Sequence, residues 1–142
     1  LGLESLHVRM ARHCENGQAV AEFLASHPKI AYVNYCGLPG DKYHAVAEKY
    51  LPNGSCGVVS FGVKGGREAA AAFMGHLKIA AIETHVADAR TCCLHPASST
   101  HRQMNDEQLI AAGVQPDLVR MSCGLEDKND LIHDIAQALD QI

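Results

Sequence analysis

The chain has 142 residues, 47% of them hydrophobic and 20% charged, with a formal net charge of −4; these are the proportions of a globular domain large enough for one real core. A net negative chain whose longest cationic cluster is two residues has no phosphate-backbone footprint, so no nucleic-acid partner is expected. No apolar run reaches bilayer-spanning length and no signal peptide opens the chain, so no membrane partner is expected either.

Six cysteines, at positions 14, 36, 56, 92, 93 and 123, have neither CxxC spacing nor the density of a disulfide scaffold. They read as reduced, mostly buried small hydrophobes in a cytoplasmic protein. The chain opens without methionine and already inside an amphipathic pattern, with no Ser, Thr, Asp or Asn cap before it. That is the start expected of a segment taken from a longer polypeptide. Leu3, Leu6, Met10, Cys14, Gly17, Ala21 and Leu24 recur at steps of three and four, predicting a long amphipathic helix. It ends near Ser26-His27-Pro28, because proline disfavours helix in the residue before it. Its length suits either a bridge between domains or a packing helix within one.

Lys29 to Tyr35 has strand composition, and Gly37-Leu38-Pro39-Gly40 turns the chain. Tyr43 to Tyr50 predicts a short helix, broken at Leu51-Pro52-Asn53-Gly54. Val58 to Val63 predicts a second strand and Gly66 to Leu77 an alanine-rich helix. The Lys64-Gly65-Gly66-Arg67 turn between them has neither phosphate-loop spacing, and reads as a plain glycine turn. Ile79 to Ile82 is a short extended piece. Thr91 to Leu94 is an apolar strand stopped by His95-Pro96, after which Ala97 to His101 makes a polar turn. Asn105-Asp106 caps a helix over Glu107 to Ala112 that ends at Gly113. Asp127 or Asn129 caps a last helix whose apolar stripe is Leu131, Ile132, Ile135, Leu139 and Ile142. The fold class implied is α/β with α+β character: four or five short strands in one sheet, with helices mainly on one face.

The stretch before that last helix carries the chemistry. Along a strand from Leu118, side chains alternate, so Leu118, Arg120 and Ser122 share one face and Val119, Met121 and Cys123 the other. Arg120 therefore sits among hydrophobes. A guanidinium held there calls for an anion, and a carboxylate or phosphate bound bidentately suits it best. Two readings follow: an anion site with Arg120 at its centre and the Thr91 strand beside it, or an edge strand whose Arg120 reaches water or an intrachain carboxylate.

Other constellations are weaker. Cys92 and Cys93 point to opposite faces of one strand, and His95 and His101 lack a third ligand, so no metal site is expected. There is no GxSxG elbow for a serine hydrolase. Cys92 or Cys93 as a nucleophile would need a partner that stabilises the thiolate, and buried inert thiols are commoner.

The blocks LESLHVRMARHCENGQAVAEFLASHP, YCGLPGDKYHAVAEKYLPNG, FGVKGG, DARTCCLHPASSTH and DEQLIAAGVQPDLVRMSCGLE resemble the C-terminal domain of the Cys/Met-metabolism family of pyridoxal-phosphate enzymes. YLPNG and FGVKGG resemble its O-acetylhomoserine sulfhydrylase branch more than its lyases. The resemblance implies the C-terminal domain of a fold-type I transferase, its sheet mixed or mostly antiparallel. Residues 1–28 would be the helix connecting to a large cofactor domain and 29–142 the domain that binds the substrate carboxylate. Arg120 would bind the α-carboxylate, Thr91 would lie by the substrate, and the main chain around Cys92 would help hold the carboxylate. No catalytic, cofactor-binding or metal-binding residue is implied within this chain, and the pyridoxal phosphate would sit on the missing domain. The activity implied is γ-replacement of acetate on O-acetylhomoserine by sulfide or a thiol, in a cytoplasmic homo-oligomer, a tetramer by resemblance, with this segment inactive alone. A methionine or cystathionine γ-lyase, or a non-catalytic carboxylate-binding module, is the alternative. Three positions depart from the family pattern. Its usual Asn-x-Gly-Asp is His85-Val86-Ala87-Asp88, the proline before Gly37 is Cys36, and the apolar residue after Thr91 is Cys92.

Overall fold

The computed structural model describes residues 2–142. Helix α1 (Leu6–Ser26) leads into β1 (Ile30–Asn34), followed by α2 (His44–Tyr50), β2 (Val58–Val63) and α3 (Gly66–His76). Then come β3 (Ala81–Ile82), β4 (Cys92–Leu94), a 3-10 turn at Pro96–Ser98, α4 (Asp106–Ala111), β5 (Leu118–Ser122) and α5 (Lys128–Asp140). The sheet order is β1-β2-β5-β4-β3. Every neighbouring pair is antiparallel except β3 with β4, so the sheet is mixed.

Two registers place the functional face. Ser60 lies opposite Arg120 on β2 and Leu94 lies opposite it on β4. The Arg120 strand is therefore the middle of the sheet, and the edge-strand reading is overturned. On the other face, Val59, Phe61, Cys93, Val119 and Met121 are fully buried beneath α1, α3 and α5. Phe61 meets Phe73 of α3 edge-on, with centroids 5.8 Å apart. Each large side chain sealed this way contributes roughly 1.5–3 kcal/mol.

The first helix corrects the stripe read from its sequence. Leu3 and Leu6 are exposed, while Val20, Ala21 and Leu24 enter the core. The buried face also includes two polar residues, His13 and Asn16. Both reach the chain that follows β5: His13 Nδ1 donates to the Cys123 carbonyl at 2.6 Å, and Asn16 Nδ2 donates to the Gly124 and Glu126 carbonyls. Hydrogen bonds of this kind make burial of a polar group tolerable.

Caps set the later helix starts. Asn105 and Gln108 form a reciprocal capping box at α4, and the Asp127 side chain accepts from the Asn129 amide at α5. Before α3, Gly65 and Gly66 have φ of 108° and 76°, left-handed values that favour glycine. Arg67, just beyond, donates to Asp106 at 3.0 Å and to the Ala97 carbonyl at 2.7 Å. The guanidinium next to this turn is thus used within the chain.

Candidate functional site

The sheet face turned away from α1, α3 and α5 carries a cleft of about 490 Å³. Val58, Leu94 and Leu118 supply apolar walls, Ser60, Thr100 and His101 supply polar groups, and Arg120 supplies the positive charge. Alternation along three adjacent strands explains Val58, Ser60, Leu94, Leu118 and Arg120, because residues opposite one another in an antiparallel pair share a face, while Thr100 and His101 come from the turn after β4. A larger cavity of about 590 Å³ lies between α1, α2 and the 51–55 turn. Its lining holds no Arg or Lys, whereas the Arg120 cleft holds a cation with open donors.

Arg120 is half-buried, and Nη2 donates to the Thr84 carbonyl at 2.8 Å. Its Nε is buried with no acceptor among the described residues. No Asp or Glu oxygen lies within ion-pair distance of the guanidinium among the described residues. A buried donor without a partner carries a full desolvation cost, and an incoming carboxylate removes that cost while matching the planar fork. Thr100 Oγ1 lies 2.9 Å from His101 Nδ1 at the rim of the same cleft.

The segment Glu83–Arg90 folds across the end of this face. The Ala87 amide donates to Ser122 Oγ at 2.9 Å, and Asp88 accepts from the Arg90 amide. Ala87 has φ of 58°, a left-handed value that costs a residue with a Cβ about 1–2 kcal/mol. Ala87→Gly is therefore expected to stabilise the folded state by about 1 kcal/mol, part of the relieved strain being offset by the looser unfolded chain. A shift of the denaturation midpoint to lower denaturant would show that the loop is not strained at this residue.

Of the residues singled out in the sequence, Arg120 and Cys92 come to the same sheet face, Cys92 lying opposite Ser122 on β4. The Thr91 hydroxyl lies elsewhere. It donates to Glu126 Oε2 at 2.8 Å and accepts from the Gly124 amide at 2.8 Å, while its own amide donates to Glu126 Oε1. Gly124 must be small here, since an added Cβ would lie 2.5 Å from the Ala89 carbonyl oxygen. His95 is saturated, with Nδ1 2.9 Å from Ser98 Oγ and Nε2 2.8 Å from the Pro116 carbonyl oxygen, so it is not free to pair with His101 as a ligand. Burial raises the thiol pKa of Cys92, as do Asp88 and Glu83 nearby. Burial also raises that of Cys93. Protonated thiols are poor nucleophiles, which leaves the cysteine-nucleophile reading without support.

Sequence reasoning missed two contributors. The Thr84 carbonyl is main chain and has no side-chain signature. Ser60 is brought in by strand pairing, and the apolar pattern around it carried no sign of a polar site.

Comparison with known proteins gives a consistent answer. The chain is 45% identical over 139 residues to a homocysteine synthase of Schizosaccharomyces pombe, covering 98% of this chain and 32% of that protein. It is 45% identical over 142 residues to an O-acetyl-L-homoserine sulfhydrylase of Leptospira meyeri, covering 99% of this chain and 32% of that protein. Among solved structures it superposes, with a TM-score of 0.90 and 38% identity, on a Campylobacter jejuni protein assigned as an O-acetylhomoserine (thiol)-lyase and bearing an N'-pyridoxyl-lysine-5'-monophosphate. That match covers 98% of this chain and 33% of the other. The chain thus spans about a third of the length of the relatives it matches. The profile of the Cys/Met metabolism PLP-dependent enzymes matches residues 1–140, and the chain, with its mixed sheet and its Arg120 cleft, belongs to that family.

Proposed function

We propose that this chain is the substrate-carboxylate domain of a pyridoxal-phosphate-dependent O-acetylhomoserine sulfhydrylase, which replaces the acetate of O-acetylhomoserine with sulfide or a thiol. The observation that carries the reading is Arg120: a guanidinium on the central strand, with a buried Nε lacking an acceptor, facing a cleft of amino-acid size. Ser60 lies opposite it in register, and the β4 main chain at Cys92 borders the same face. Thr91, bonded to Glu126 and Gly124, serves by fixing the start of β4. No lysine lines the cleft, a donor set suited to the substrate's carboxylate and not to an aldehyde cofactor. Pyridoxal phosphate, held by residues outside this chain, supplies the electron sink for the γ-replacement. The work of the residues here is to bind and orient the amino acid, fixing which of its bonds faces the reacting centre.

Residues 1–28 are read as the connection to the cofactor domain and 29–142 as the clamp domain, although the second half of α1 is built into the same core. A cytoplasmic homo-oligomer, most simply a tetramer, completes the proposal. Its support is the family membership and six free cysteines, of which Cys93 and Cys123 are core residues. No helix among the described residues is long and apolar enough to cross a membrane.

The test is to assay the full-length protein, loaded with pyridoxal phosphate, with O-acetylhomoserine and sulfide. Homocysteine and acetate in equal amounts are expected. Release of ammonia and a 2-oxo acid from methionine or cystathionine, with no homocysteine formed, would assign a γ-lyase instead. Binding of the amino acid without turnover would leave only the carboxylate-binding module.

A further inference from the structure

We propose that Glu83, His85 and Cys92 form a binding site for a divalent transition-metal ion, zinc by ligand type, on the loop that crosses the end of the sheet. One ligand atom from each of the three, a carboxylate oxygen, an imidazole nitrogen and the thiol sulfur, lies within 4.8 Å of the other two. Glu83 Oε2 is 3.0 Å from His85 Nδ1, and Asp88 Oδ2 is 3.4 Å from the same nitrogen, close enough to supply a fourth ligand. In a tetrahedral zinc site with bonds of about 2.0–2.3 Å, ligand atoms stand roughly 3.3–3.8 Å apart. The oxygen and nitrogen edges already lie near that spacing. The sulfur lies within 4.8 Å of both other ligand atoms, and the exposed His85 side chain has room to adjust to it. A thiolate and an imidazole together with a carboxylate select zinc over calcium or magnesium, which take oxygen ligands.

His85 and Cys92 are seven positions apart in the chain, on a loop and a strand, and the fold brings their side chains to one point beside Glu83. That convergence depends on no part of the sulfhydrylase reading.

Binding forms a metal–sulfur bond and breaks the Cys92 S–H bond, the proton passing to solvent. The thiol is faced by Glu83, Asp88, Arg90 and Glu126, so acidic groups outnumber the one guanidinium and favour a cation. Arg90 is the competitor, with Nη2 3.1 Å from Glu83 Oε1. Its side chain is largely exposed, and a solvent-exposed pair of this kind has little net strength. The ion displaces Arg90 from Glu83, and binding strengthens as pH rises because a proton leaves.

The experiment titrates the full-length, cofactor-loaded protein with cobalt(II) as a spectroscopic stand-in for zinc, followed by zinc displacement in a calorimeter. One equivalent is expected, with a thiolate-to-cobalt charge-transfer band. His85→Ala and Cys92→Ser should each lose the band and weaken zinc binding at least tenfold. Arg90→Gln should tighten it several-fold, a gain that a misfolded variant cannot produce. The proposal is overturned if the wild-type protein binds no zinc at millimolar concentration, if the band survives in His85→Ala, or if Arg90→Gln does not tighten binding.

Discussion

Arg120→Lys in the full-length enzyme is expected to lower kcat/KM for the amino-acid substrate by roughly 30- to 1,000-fold, equivalent to about 2–4 kcal/mol of binding lost in the ground or transition state. Lysine keeps the charge but offers a single tetrahedral donor group in place of a planar fork. It cannot donate to the Thr84 carbonyl, as Arg120 does, and still meet a carboxylate with two parallel bonds. The loss should fall on function and leave stability nearly unchanged, since Arg120 lies on the sheet face away from the helix-packed core and has one hydrogen bond within the chain. Steady-state kinetics beside a thermal melt separate the two effects. Wild-type kcat/KM in Arg120→Lys would remove this residue from the substrate site.

Asp134→Ala is expected to have the largest effect on stability, about 3 kcal/mol. The Asp134 carboxylate is buried in α5 and accepts three consecutive amides after α3: Lys78 at 2.8 Å, Ile79 at 2.9 Å and Ala80 at 3.2 Å. Gln137 Nε2 donates to it as well. One side chain thereby satisfies the backbone that carries the chain into β3. Removing it strands donors next to the core, where each unsatisfied group costs about 1–3 kcal/mol, reduced for those that water can reach. Hydrogen exchange of the three amides reads the effect where it arises, with at least a tenfold loss of protection expected. Asp134→Asn, which retains one acceptor oxygen, should fall between. Unchanged protection in Asp134→Ala would show that other groups hold this turn.

Local pattern made much of the architecture legible in advance. The C-terminal end of α1, the six residues of β2 and the Asn105 cap follow from a proline, two flanking glycine turns and a capping asparagine. Each of these acts within a few residues. The α1 stripe holds at Gly17, Ala21 and Leu24 but not before them, and it did not register His13 and Asn16, which are buried because backbone carbonyls more than a hundred residues away accept their hydrogen bonds. The periodicity of a helix does not register a partner at that distance.

Arg120 shows the same division at the site. Alternation put it on one face of a strand, and its charge among apolar neighbours called for an anion. Whether the strand lay at an edge depended on its pairing with β2 and β4, and so did the identity of the residues opposite it. Thr91 illustrates the limit most sharply, since its hydroxyl faces the Glu126 and Gly124 groups of the turn after β5. That contact arises from the packing of the turn against the segment before β4 and leaves no mark on the spacing of either.

By itself, then, the sequence determined most of the elements, the sheet-and-helix class, the family and the strand face on which Arg120 lies, because these depend on neighbours along the chain. The tertiary structure alone decided the strand order, the open Nε of Arg120, the strained Ala87 and the meeting of Glu83, His85 and Cys92. Those depend on the register of strands and on loops folded across them, where contacts between distant segments are worth more than any local preference.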